Sequence, residues 1–438
     1  MRAHAKISIL TLGLTGAIAP ASSAPPGAGD RGGFDASGIP ASHLRFADRA
    51  AVERSFSGAT VLGDRPPGAG STDVSEYMLG RVAIAVILPS SNGAIDPDTE
   101  NWTRAEVRGV VRAVERGLRF WLERGPGDLE FVVEFDGVIP TSYEPINRPA
   151  ESDGLWIGEI LAQLGHDRGG YMMRAYERVG RLIAENDADW GGLIFAVDSE
   201  NDPGGDFADG YSAYAYFGGP MVVTPTTPNN EPLSVLDSYM AHEFAHLFYA
   251  DDEYFWGMSD CRVESGYLSV PNGNSAFGIE CAARFDCIMH VGYLPETSAC
   301  GYSLAQVGRY DHDDDGIPWI LDTRPAVEWM QDPPVVVPAG EPFELSAVAR
   351  VSPRRNRNPF GMGRAITINR IQRIQSRLDG GEWIDRPAQD GIYDQGVEGT
   401  LWVEDGLAPG SHVIEVRGYN TIGNFNDPLL RTEIVAER

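Results

Sequence analysis

His242-Glu243-Phe244-Ala245-His246-Leu247-Phe248-Tyr249-Ala250-Asp251-Asp252 is the stretch around which the rest of the chain is read. Residues four apart on a helix lie one turn above each other, so His242 and His246 can present two imidazole nitrogens to one cation. Glu243 then lies beside that cation, placed to serve as general base and acid. Ser234, with Asp237 three residues on, reads as the entry to this helix. A catalytic zinc takes three protein ligands and keeps one position open, so a third ligand is needed. Asp252 is the preferred one, with Asp251 and Glu264 as competitors. Glu264 sits among Cys261, Gly266, Pro271 and Gly273, a turn-rich context in which no ligand-bearing helix reads.

The chain has 438 residues, enough for two or three domains and a large buried core. Its start, Met1-Arg2-Ala3-His4-Ala5-Lys6, leads into an apolar run and then Ala19-Pro20-Ala21, the succession of a secretory signal over residues 1–21. The run is shorter than the ~20 apolar residues a spanning helix needs, and no later apolar stretch without charges approaches that length, so no membrane anchor is expected. The expected location is extracellular. A net charge of −28 argues against a nucleic-acid partner, because neutralising phosphates requires a basic surface. Four cysteines, Cys261, Cys281, Cys287 and Cys300, cluster in one segment of a chain expected in an oxidising environment. Two disulfides follow. Of the three pairings, Cys261 with Cys281 and Cys287 with Cys300 is preferred because it closes sequential loops, although sequence does not fix connectivity.

Residues 22–77 are rich in Gly, Pro, Ala and Ser and read as a linker or pro-segment. Residues 82–88 form a continuous Val- and Ile-rich run suited to a strand buried on both faces. Thr103 and Glu106 form a capping-box pattern ahead of Val107, Val110, Val114, Leu118 and Trp121 at helical spacing. Residues 129–135 and 193–197 read as further strands, with a helix marked by Met172, Tyr176, Val179 and Ile183 between them. Residues 213–217 and 221–224 flank Gly218-Gly219-Pro220 as an edge hairpin or two short strands. The fold class expected is a mixed α/β catalytic domain over 78–310. Beyond Pro333 short β-type runs alternate with Gly- and Pro-bearing turns, the signature of an all-β immunoglobulin-like or fibronectin-like sandwich over 334–438. Trp383 and Trp402 are read as core or ligand-stacking residues, and a cell-surface or carbohydrate ligand is the partner such a module suggests.

The central stretch resembles the metzincin pattern H-E-x-x-H-x-x-G-x-x-H, with Asp252 at the final ligand position and Tyr249 where the pattern has glycine. Cys287-Ile288-Met289-His290 supplies a second resemblance, to the turn that places a methionine beneath the metal in that clan, with Met289 in that role. The Phe244 and Asp252-Glu253-Tyr254 elements are similar to those of IgA-peptidase-like metzincins, which carry H-E-F-G-H followed by D-E-Y; the spacing here is one residue shorter. The resemblance implies a zincin-type α/β catalytic domain and a zinc endopeptidase acting on proteins or peptides. In that chemistry zinc polarises the scissile carbonyl and lowers the pKa of its bound water, while Glu243 moves the proton. Tyr293 is a candidate hydrogen-bond donor to the oxyanion. The rival reading is a secreted adhesion or binding protein with a structural or vestigial zinc site.

Asp311, Asp313, Asp315, Gly316, Ile317 and Asp322 match the ligand and turn positions of an EF-hand-type calcium loop, with Asp322 in place of the usual bidentate Glu and Ile317 offering its backbone carbonyl. Residues 311–322 are therefore expected to bind calcium, and zinc and calcium are the two cofactors anticipated.

Overall fold

A computed structural model describes residues 6–10, 44–56, 65–290 and 292–438. They divide into two units: the described residues up to Arg65 with Gly70–Tyr310 and Arg357–Gly363, and Pro66–Ala69 with Asp311–Asn356 and Arg364–Arg438. The expected catalytic domain ends at 310, where the main span of the first unit also ends, and the acidic loop at 311–322, expected as a linker, falls in the second unit. No helix among the described residues is long and apolar enough to cross a membrane.

In the first unit the elements run β1 (Lys6–Leu10), β2 (Leu44–Arg45), α1 (Arg49–Ser55), β3 (Gly80–Ser91), α2 (Arg104–Leu122), β4 (Leu129–Thr141), α3 (Gly154–Gln163), α4 (Tyr171–Glu185), β5 (Trp190–Val197), β6 (Tyr214–Tyr216), β7 (Met221–Pro225), α5 (Leu236–His246), β8 (Glu264–Ser265), β9 (Val270–Pro271) and α6 (Gly301–Gln306). Seven strands make one sheet in the order β1-β4-β3-β5-β7-β6-β2. Pairing is parallel from β1 through β7, and β6 turns back antiparallel on β7. The Val- and Ile-rich run lies in β3, buried on both faces as expected of a central parallel strand. Ala83, Ala85 and Ile87 share one core with Ile157 and Ile160 of α3 and Val179 and Ile183 of α4. The opposite face receives α2 and α5: Phe131 of β4 meets Phe244 of α5 edge-on at 5.5 Å. Of the expected signal segment, Lys6–Leu10 lies as a strand along β4 and the rest falls outside the described residues. So do residues 22–43 and 57–64 of the expected linker.

α2 begins as its sequence dictates, with Thr103 and Glu106 bonded reciprocally in a capping box and its apolar stripe buried. It packs directly on α5. A Cβ at Gly117 would lie 2.9 Å from both the Asp237 carbonyl and the Met240 Cβ, so only glycine permits this approach. Trp121 Nε1 donates to the Ala241 carbonyl at 2.9 Å, and Arg116 pairs with Asp237 at 2.5 Å. The expected start of α5 at Ser234 is corrected: Ser234 lies in a 3₁₀ turn over Leu233–Val235, and the helix begins at Leu236 without a side-chain cap. The anchoring by α2 substitutes for the missing cap.

In the second unit, β10 (Ala326–Trp329), β11 (Val336–Pro338), β12 (Phe343–Arg350), β13 (Ile371–Leu378), β14 (Ile384–Arg386), β15 (Val397–Glu404), β16 (Gly410–Asn420) and β17 (Leu430–Glu437) form two sheets, β10-β12-β15 and β11-β17-β16-β13-β14. Leu345 and Ala347 of the first sheet and Ile374, Val416 and Ile434 of the second share one core, which makes a sandwich. Trp402 is buried in that core. Trp383 is half-buried beneath the guanidinium groups of Arg377 and Arg417.

Candidate metal centre

α5 ends at His246 and the chain then turns sharply. Tyr249 makes that turn with a φ of 66°, in the left-handed region that glycine occupies without cost. The hydroxyl of the fully buried Tyr249 accepts from the guanidinium of Arg49 and donates to Glu76 at 3.4 Å, and Arg49 is itself held by Asp73 at 2.9 Å and Glu76 at 2.7 Å. The left-handed residue brings Asp252 back under the helix.

His242 Nδ1 bonds the Ile288 carbonyl at 2.8 Å and His246 Nδ1 bonds the Ala250 carbonyl at 2.6 Å. A carbonyl only accepts, so both rings carry their proton on Nδ1 and turn the Nε2 lone pair inward. The two Nε2 atoms are 3.2 Å apart, and Asp252 Oδ1 lies 3.0 Å from that of His242 and 3.4 Å from that of His246. Three ligand atoms about 2.0–2.2 Å from a tetrahedral zinc are separated by about 3.3 Å. The triangle fits that ion. Burial opposes charge on His246, but Asp252 and Glu243 outweigh it and raise its pKa to about 9. Burial works against ionised Asp252 too, yet His246 and His242 hold its carboxyl far below the usual range. The pocket is an electrostatic well for a cation.

The surrounding loop is tied down from several directions. Glu253 N donates to the Met289 carbonyl at 2.8 Å, and Asn272 Nδ2 donates to the Asp252 carbonyl at 2.6 Å. A Cβ at Gly257 would stand 2.4 Å from the Asp252 Cβ, so the following loop presses on the ligand itself. Met289 is fully buried in the turn whose Ile288 carbonyl orients His242. Glu243 is buried, with 2% exposure, and its charge acts on His246, Tyr254 and Tyr239.

The competitors of Asp252 are placed elsewhere. Asp251 accepts from Ser259 and from the Asp252 backbone N–H, and Glu264 is exposed, accepting from Ser269. Tyr293 is 41% exposed and donates to Glu231 at 2.6 Å, away from the expected oxyanion role. His290 is half-buried in the methionine turn. Two tyrosines were not singled out for roles by sequence. Tyr254 lies 5.9 Å from the His242 ring, and burial, then Asp252 and Glu243, push its pKa up. Tyr239 sits one turn before Glu243, and burial pushes its pKa to about 12. The i to i+4 spacing to Glu243 was the signal for Tyr239; Tyr254 had none beyond its place in the motif.

Cys261 and Cys281 are bonded. The second expected disulfide is corrected: Cys287 and Cys300 are buried free thiols. They are close neighbours of Glu253, but Cys300 Sγ donates to Glu253 Oε1 at 2.9 Å and Cys287 Sγ meets Ser303 Oγ at 3.1 Å. Polar partners occupy both sulfurs.

In the acidic loop, carboxylate oxygens of Asp311, Asp313 and Asp315 lie within 4.8 Å of one another. Gly316 has a φ of 89°, and Gly316 N donates to Asp311 at 2.7 Å while Ile317 N donates to Asp315 at 2.8 Å. Asp322, expected as the closing ligand, does not join them. Its carboxylate accepts from Asn424 at 2.7 Å and faces Arg354 at 3.8 Å, partners from strands and loops that a linear motif does not register.

The fold and site define a mixed α/β unit bearing a two-histidine, one-carboxylate centre, and a β-sandwich unit. No family model matches the chain, and no curated protein matches it. Among solved structures it is similar to fibronectin(III)-like modules of Clostridium thermocellum CbhA, at 19% identity over 26% of this chain and 47% of that one. It is also similar to the sulfane dehydrogenase SoxCD of Paracoccus pantotrophus, at 17% identity over 26% of each chain, and to a PKD domain of an M14-like peptidase from Thermoplasmatales archaeon SCGC AB-540-F20, at 17% identity over 26% and 94%. The chain spans less than half the length of the first two. Their TM-scores of 0.17, 0.18 and 0.17 carry no argument about fold or function.

Proposed function

We propose that this chain is a secreted zinc endopeptidase of the metzincin kind. One observation carries the reading: two Nε2 atoms and one Asp252 oxygen converge at the edge lengths of a tetrahedral ion's ligand set, beside a buried glutamate. The ion, when bound, polarises the scissile carbonyl and acidifies water at the site. Glu243 takes the proton of the attacking water and delivers it to the departing amine. The two Nδ1–H bonds keep both imidazoles oriented and leave each Nε2 facing the ion's position. Tyr254, whose ring lies 5.9 Å from that of His242, is the tyrosine beside the centre that could donate to a developing oxyanion.

Two histidines and a carboxylate also serve iron(II) oxygenases, and a purely structural zinc site needs no base. Glu243, adjoining His242, favours hydrolysis over both. The substrates are proteins or peptides, the sandwich reads as an immunoglobulin-like module with a cell-surface or carbohydrate ligand, and Asp311, Asp313 and Asp315 read as calcium ligands. The test is hydrolysis of casein by the purified chain with and without a chelator, together with metal analysis. Cleavage lost on chelation and restored by zinc supports the reading. Zinc-loaded, folded protein that leaves casein and a broad peptide library intact favours a binding protein instead.

A further inference from the structure

The loop that leaves Asp252 turns its apolar side chains outward. Phe255, Trp256 and Met258 are 51%, 54% and 41% exposed, all within one short turn: a 3₁₀ helix over Phe255–Gly257, closed by Met258 at a left-handed φ of 53°. Phe255 meets Trp256 edge-on at 4.9 Å and Phe277 edge-on at 5.6 Å, so the three rings form one surface. Scattered apolar residues on a surface are ordinary, whereas a contiguous group marks a place where another molecule docks.

The surface is braced from below. A Cβ at Gly257 would stand 2.4 Å from the Asp252 Cβ, Ser275 Oγ donates to the Ser259 carbonyl at 2.6 Å, Asp260 bridges to Phe277, and Cys261 is bonded to Cys281. The rings are thus held out by the same contacts that brace the third ligand. They also stand where the centre opens. His242 keeps 15% of its side chain exposed while His246 and Asp252 keep none, so solvent reaches the three ligands along His242. Tyr254, with its ring beside that of His242, leads directly into Phe255 and Trp256. A chain approaching the centre along His242 meets this loop.

Resting on the peptidase reading, we propose that Phe255, Trp256 and Met258 receive apolar side chains of the polypeptide substrate and select bonds flanked by aromatic or branched aliphatic residues. The loop breaks no bond; its residues set specificity. Continuity with the ligand-bearing turn fixes the occupant. What lies on Phe255 and Trp256 lies beside His242, the place of a polypeptide being cleaved, whereas a bilayer or a second copy on the loop would cover the ligand along which the centre is reached. Flat rings accept apolar groups of varied shape and a thioether adapts to them, so a class of side chain is selected rather than one residue. Such burial is as favourable in the ground state as in the transition state, so the preference appears in KM.

The test measures peptide affinity in the full, zinc-loaded chain carrying Glu243→Gln, which slows cleavage, and hydrolysis in the native chain. Two dye-labelled peptides of equal length and charge are used, one with leucine and phenylalanine around its central bond and one with serine and asparagine there. The apolar peptide should bind about tenfold more tightly, read by fluorescence anisotropy, and the native chain should cleave it with a correspondingly lower KM. Adding Phe255→Ser and Trp256→Ser should abolish the difference with zinc content unchanged, while Trp256→Leu alone should keep most of it. Equal affinity for the two peptides, or a preference that survives in the folded, zinc-loaded double variant, overturns the proposal. So does binding to phosphatidylcholine vesicles, or self-association, that the double variant loses while its peptide binding persists. Failure of the reading beneath it looks different: the apolar peptide binds through the loop and the native chain cleaves neither peptide, which makes the occupant a ligand rather than a substrate and overturns both.

Discussion

Tyr249 occupies the left-handed backbone position that the metzincin pattern gives to glycine, at a cost of about 1–2 kcal/mol for an L-residue with a Cβ. The structure offsets that cost by burying the ring fully and giving its hydroxyl to Arg49, 200 residues earlier in the chain. Tyr249→Gly therefore relaxes the turn and still lowers stability, by about 2–4 kcal/mol, because it removes a buried aromatic ring; denaturant unfolding of the zinc-loaded protein measures this, and a stabilised variant would mean the ring is not what holds the turn. Asp252→Asn should weaken zinc binding more than tenfold, while Asp251→Asn leaves the affinity within a few-fold, both read by competition with a chromophoric chelator. The convergence of His242, His246 and Asp252 was legible because helical periodicity and ligand counting act locally. Arg49 as the partner of Tyr249 was not, since nothing local links them. The thiols of Cys287 and Cys300 were legible as neighbours but not as unbonded ones, because Glu253 and Ser303 reach them through tertiary packing.

The α2–α5 contact is what positions the centre among the elements of the first unit. Replacing Gly117 by Val pushes a side chain into the Asp237 carbonyl and Met240. It should cost about 2–3 kcal/mol, in the range of overpacked cores, and lower zinc affinity by displacing His242 and His246 together. Equal loss of stability with unchanged zinc affinity would show that α5 is held by the sheet alone. Both helices were legible from their apolar spacing, and α2 from its cap. The start of α5 was misread because Ser234 supplies a capping side chain at a position where the backbone forms a 3₁₀ turn. Strand existence was legible from Val- and Ile-rich runs; the order β1-β4-β3-β5-β7-β6-β2 was not, since parallel neighbours are chosen by distant segments.

At the scale of the whole molecule, two units with separate cores predict two calorimetric transitions, of which chelation of zinc lowers only that of the unit holding α5. A single transition shifted as a whole would show that the units unfold as one. The composition change near residue 333 announced the second unit, but assignment of the acidic loop to it depends on contacts such as Asn424 with Asp322. Acid stability is set partly by His166, whose buried ring nitrogens have no hydrogen-bond partner and whose pKa burial, with Arg178 and Arg181, depresses to about 4. The unfolded chain protonates this residue near 6.5, so its contribution is intact above that pH and is lost as pH falls towards 4. Replacing His166 by Leu should recover about 2 kcal/mol of the stability that the native chain loses between pH 7 and 4.5; denaturant midpoints at the two pH values decide this, and an unchanged pH difference would place the loss elsewhere.

The central claim is that a metal held by His242, His246 and Asp252 works with Glu243 to cleave peptide bonds. Its most direct test is Glu243→Gln, assayed for bound zinc and for protein hydrolysis in the same preparation. The account predicts one zinc per chain in the variant, as in the native chain, with hydrolysis lowered by about 10²–10⁴-fold, the range of a lost general base. Equal hydrolysis by the native and variant chains at equal zinc content would contradict it.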